Sequence, residues 1–107
     1  MAGSVLDVKW TDEATKDLRT IFDYYLQNAS HSVAQTIINR LQEKVEVLYL
    51  SPHIGQAEPL LEDLNLDVRY LVEGNYKIFY NYFDGIIFIL FIFDCRQNPE
   101  KIIQLFR

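Results

Sequence analysis

Apolar residues recur at three- and four-residue spacing in the first half of the chain and at every second position in the second half. The first stripe is Ala14, Leu18, Ile21, Phe22, Tyr25 and Leu26, one face of an amphipathic helix. Thr11 stands where an N-cap is needed, and Asp12 and Glu13 suit the positive end of the helix dipole. The pattern stops near His31 and restarts at Ser32, followed three residues later by Gln35 in capping-box spacing. A second stripe then runs through Ala34, Ile37, Ile38, Leu41, Val45 and Leu48 to the Ser51-Pro52 stop. Two antiparallel helices joined by a short loop are predicted.

Short alternation at Val5–Trp10 predicts a strand before the first helix. From residue 66 the period of two, with rising β-branched and aromatic content, predicts strands at Leu66–Val72, Tyr76–Phe83 and Ile86–Asp94. Turns fall at Gly74-Asn75 and Asp84-Gly85, the latter a strong type I′ hairpin signal. Asn98-Pro99 reads as N-cap and first-turn proline of a short helix ending at Phe106. The expected fold is α+β in the order β-α-α-β-β-β-α, an antiparallel sheet with the N-terminal helical hairpin packed on one face.

Composition narrows the function. The 107 residues suit one domain spanning 1–107, and a hydrophobic content of 50% is enough to build a core. The longest apolar run, Ile86–Phe93, falls short of the roughly 20 residues that span a bilayer. The N-terminus has neither the basic start nor the apolar core of a signal peptide, so a cytoplasmic location is expected. Cys95 is the single cysteine, and His31 and His53 stand alone; no metal site is expected. A net charge of -5 argues against general nucleic-acid affinity. That acidity belongs to the first half: residues 1–64 carry a balance of -5 and residues 65–107 a balance of zero.

This order of elements, with "WTDEATKDLRTIFDYY", "VRYLVEGNYKIFY" and "IFILFIFDCRQNP", resembles the RelE/ParE superfamily of toxins from bacterial type II toxin-antitoxin systems. The middle motif is the best single marker: an arginine, a glycine-containing turn, then Tyr76, Ile78 and Tyr80 in Tyr-x-Ile-x-Tyr spacing. The resemblance implies growth inhibition, as in plasmid stabilization, and neutralisation by a cognate antitoxin. It implies no cofactor. The target divides the superfamily. ParE-like members bind and poison DNA gyrase, whereas RelE-like members are ribosome-dependent endoribonucleases that cut mRNA. A degenerate member would bind its antitoxin and do nothing else. A homodimer or a toxin-antitoxin heterotetramer is compatible with any of these.

Four residues are the candidates for catalysis or target binding: Lys77, Arg96, Arg69 and Tyr80. A regular Asp84-Gly85 hairpin pairs Lys77 with Ile92 and Phe79 with Leu90. Lys77, Asp94 and Arg96 then share the exposed face, where two converging cations could stabilise a pentavalent phosphate or meet an antitoxin's acidic tail. Alternatively Lys77 is a solvated strand residue, and Arg96 pairs with Asp94 or caps the last helix. Arg69 lies opposite Tyr80 on the core side if the Gly74-Asn75 turn has two residues, and beside Phe79 if a bulge intervenes. Arg96 could lower the pKa of Cys95, although a small buried residue is the commoner role for such a cysteine. RelE-like enzymes add lysines on the second strand and a His or Tyr near the last helix. This chain has "LNLDVRYLV" and no His or Tyr in residues 95–107, so the ParE-like reading is favoured.

Overall fold

In the computed structural model, which describes residues 5–64 and 66–106, the chain begins with β1 (Asp7–Trp10) and the helices α1 (Asp12–Asn28) and α2 (His31–Glu46). There follow β2 (Gln56–Ala57), β3 (Arg69–Glu73), β4 (Tyr76–Phe83), β5 (Ile86–Asp94) and the short α3 (Lys101–Leu105). Two 3-10 turns, Val47–Tyr49 and Pro59–Leu64, flank β2. The fold is α+β, as expected, with the five strands ordered β1-β5-β4-β3-β2. Two details differ. A two-residue strand, too short to leave a pattern, pairs with the start of β3; and β1 runs parallel to β5 while the other pairs are antiparallel.

Each helix starts at a side-chain cap. The Thr11 hydroxyl accepts from the Ala14 amide at 3.2 Å, and Ser30 accepts from the Val33 amide at 3.1 Å. The second cap corrects the expected Ser32–Gln35 box: α2 already begins at His31, and the Gln35 amide group donates to Asn39 instead. Ile21, Ile38, Leu41, Val45 and Leu48 bury against Ile78, Tyr80, Ile87, Ile89 and Ile92 of the sheet. Leu26 falls outside this core, with 44% of its surface exposed.

The other face of the sheet is also covered. Leu61 of the 59–64 turn and Ile102 of α3 close a second core over Val68, Phe79 and Phe93, with Phe106 edge-on to both Phe79 and Phe91. Asn98 caps the turn that leads into α3, its side-chain oxygen accepting from the Glu100 amide at 3.0 Å, but the helix proper begins only at Lys101. The Asp84-Gly85 turn has both residues at positive φ, 52° and 82°, as a type I′ hairpin requires.

Candidate functional site

The hairpin register holds only near its turn. Pairs run regularly from Phe83 and Ile86 to Tyr80 and Ile89, after which Phe79 faces Phe91 and Lys77 faces Phe93. Leu90 is the extra residue of a β-bulge, and every side chain beyond it changes face relative to a regular ladder. The bulge sits where β1 ends, opposite Ile89. There α1 takes over the unpaired edge of β5. The Thr11 hydroxyl donates to the carbonyls of Ile89 and Leu90 at 2.8 and 3.1 Å, and the Asp17 carboxylate accepts from the Ile92 amide at 2.9 Å.

The bulge corrects the expected convergence of Lys77 and Arg96. Lys77 lies on the α3 side, in the row of Phe79 and Phe93; Asp94 pairs with Tyr76 on the helical-hairpin side, and Arg96 follows it there. The two cations therefore stand on opposite faces of the sheet and do not converge.

Neither cation is free. Lys77 Nζ donates to the Glu58 carboxylate at 2.8 Å and lies 4.3 Å from the centre of the Tyr70 ring. The Glu58 side chain is 4% exposed and that of Lys77 23%. Burial works to lower the Lys77 pKa, but the hydrogen bond and charge of Glu58 outweigh it, and the net direction is upward. A general base would need the opposite shift.

Arg96 forks onto Asp94. Its Nε and Nη2 donate to the two carboxylate oxygens at 2.9 and 2.7 Å, and its amide donates to Oδ1 at 2.9 Å. These bonds hold the Asp94 carboxyl below its ordinary value and raise that of the guanidinium, whose side chain remains 49% exposed. Next to it, Cys95 is exposed rather than buried, and partial burial of its thiol moves the pKa up, not down as the neighbouring arginine suggested.

Arg69 and Tyr80 do come together. They pair across β3 and β4, as a two-residue Gly74-Asn75 turn requires, and both hold the loop before β2. Arg69 Nη1 donates to the carbonyls of His53 and Gly55 at 3.2 and 3.0 Å. The Tyr80 hydroxyl donates to the Pro52 carbonyl and accepts from the Gly55 amide, both at 2.9 Å. Burial pushes this phenol's pKa up, with the Gly55 bond and the Arg69 charge opposing. Tyr80 is fully buried.

Two residues of the site left no signal in the sequence reading. Glu58, in a segment without periodicity, is the buried partner of Lys77. Asp17 sits on the polar flank of an ordinary amphipathic helix, and only the position of the bulge gives it a task. Among the described residues no group of three or more His, Cys, Asp or Glu side chains could hold a metal, and no helix is long and apolar enough to cross a membrane.

A family model described as the ParE toxin of the type II toxin-antitoxin system, parDE, matches residues 8–99. Among solved structures, the chain is similar to one from the chromosomal ParDE toxin-antitoxin system of P. aeruginosa. The TM-score is 0.68 at 23% sequence identity, over 85% of this chain and 96% of that one, a likeness of fold. No curated protein matches the sequence.

Proposed function

Because the chain belongs to the ParE toxin family of type II toxin-antitoxin systems, we propose that it arrests growth by binding DNA gyrase, and that a cognate antitoxin neutralises it by covering the surface that binds the target. The observation that carries the choice of binding over RNA cleavage is the engagement of every candidate cation. Lys77 is held by Glu58, Arg69 by two backbone carbonyls and Arg96 by Asp94, and the bulge separates Lys77 from Arg96. An RNase acting through the RNA's own 2′-hydroxyl needs a base near its working pKa and a cation aimed at the phosphate. The upward shift of Lys77 opposes the first requirement, and the pairing of all three cations opposes the second.

In this reading Lys77, Arg69 and Tyr80 are scaffold residues. Arg96, half exposed at the open end of the sheet and held by Asp94, is the candidate for target contact as one member of a neutral, hydrogen-bonding pair rather than as a free cation.

Induction of the chain in a bacterial host tests the proposal. Growth arrest with a DNA-damage response and intact bulk mRNA is expected. Arrest with rapid loss of mRNA and no DNA damage would replace it with the RelE-like reading, and unimpaired growth with the protein present in soluble form would leave only antitoxin binding.

A further inference from the structure

Between α1 and the outer end of β5 lies an open cleft of about 330 Å³, lined by Asp17, Thr20 and Tyr24 from the helix, by Tyr76 and Asp94 from the sheet, and by Arg96 from the turn after β5. Its charges do not balance. Arg96 is forked onto Asp94, which leaves Asp17 as the carboxylate without a cation. One of its oxygens accepts from the Ile92 amide, and among the described residues no Lys, Arg or His stands within ion-pair distance of the other. Lys101, across the adjoining groove, instead donates to Gln97 at 3.4 Å. Burial moves the Asp17 carboxyl up, the Ile92 bond only partly offsets this, and Glu13 adds repulsion.

The cleft also has an aromatic wall. Tyr24 is 50% exposed, and its ring is braced edge-on by Tyr25 at 5.0 Å and 87°. Tyr76 is buried behind it, its hydroxyl 3.4 Å from that of Tyr25. An oriented carboxylate with one oxygen outside the Ile92 bond, in a cleft that also holds an exposed tyrosine two helical turns away, suits an arginine, whose guanidinium can donate to the carboxylate or stack on the ring. Lysine matches only the charge.

We infer that this cleft receives an arginine side chain presented by a protein partner. The Ile92 amide fixes the Asp17 carboxylate before the partner arrives, so little ordering remains to be done on binding. The expected polarity of the contact is thereby reversed: an acidic partner segment finds Lys77 and Arg96 already neutralised, whereas a basic one finds an unpaired carboxylate. The inference does not depend on which target the toxin takes.

The probe is a short peptide, acetyl-Gly-Arg-Gly-amide, titrated into the isotope-labelled chain and followed by backbone amide resonances. Its neutral isostere, with citrulline in place of arginine, is the control. Saturable shifts at Asp17, Tyr24 and Ile92 are expected with the arginine peptide, and binding at least roughly tenfold weaker with the citrulline peptide. Asp17→Asn retains an acceptor for Ile92 and should abolish the binding in a folded protein. Tyr24→Ala, at an exposed position, should weaken it with the fold intact. Equal shifts with both peptides, undiminished binding by either variant, or no saturable shift at these residues would overturn the inference.

Discussion

Lys77 reaches the Glu58 carboxylate at 2.8 Å, tying the central strand β4 to the segment that leads into the 59–64 turn. With Glu58 almost wholly buried, the pair joins the second core to its cover. Removing one partner leaves the other charge buried and alone, which costs more than the pair itself contributes. Lys77→Met is expected to destabilise the protein by about 3 kcal/mol in urea unfolding, and the double variant Lys77→Met, Glu58→Leu to recover much of that loss. Equal stability of Lys77→Met and the parent would show that the pair is not closed in solution.

Tyr80 supports the loop before β2 from within the core. Tyr80→Phe removes a donor to Pro52 and an acceptor from Gly55 together, and should cost about 1–3 kcal/mol. Gly55→Ala is expected to be harmful as well, because a Cβ there would stand 2.6 Å from the Tyr80 ring and hydroxyl. The two melting temperatures, compared with that of the parent, check both statements.

At the bulge, Asp17→Ala strands the Ile92 amide and should cost about 1–3 kcal/mol. Asp17→Asn keeps an acceptor and removes a charge that burial disfavours, so at neutral pH its stability should match or exceed the parent's. The sign follows from linkage. The folded-state pKa of Asp17 is raised, so its stabilising contribution is complete below the unfolded value of 3.8 and is lost as pH rises through the folded value. Denaturant midpoints at pH 3.5 and pH 7, in the parent and in Asp17→Asn, measure it.

Asp94 acts in the opposite direction. Its folded-state pKa is depressed by Arg96, so its contribution is present above 3.8 and disappears as pH falls through the folded value. Asp94→Asn should therefore flatten the acid limb of the stability profile below pH 4. Arg96→Ala should leave melting close to the parent's while relieving growth arrest; full toxicity in that variant would remove Arg96 from the target contact.

Much of the fold was legible because its signals are local. Tyr76–Phe83 and Ile86–Asp94 are rich in aromatic and β-branched residues and meet at the Asp84-Gly85 turn, so both strands have the expected bounds. Arg69 lies opposite Tyr80 because the Gly74-Asn75 turn sets that register. What the strand pattern could not reveal was Leu90: a bulge adds one residue without changing composition, and the groups that meet it, the end of β1 and the Thr11 hydroxyl, lie some 80 residues away. That single residue moved Arg96 to the other face from Lys77. Glu58 and Asp17 were hidden for the same reason, since each acquires its task from a neighbour distant in sequence.

Trapping of cleaved DNA by purified gyrase tests the central claim most directly. The purified chain is incubated with gyrase, ATP and supercoiled plasmid, and the products are resolved after protein denaturation. Toxin-dependent accumulation of linear plasmid, suppressed by the cognate antitoxin, is the predicted result. Plasmid processed as in the absence of the chain, together with ribosome-dependent cutting of mRNA in a translation extract, would contradict it.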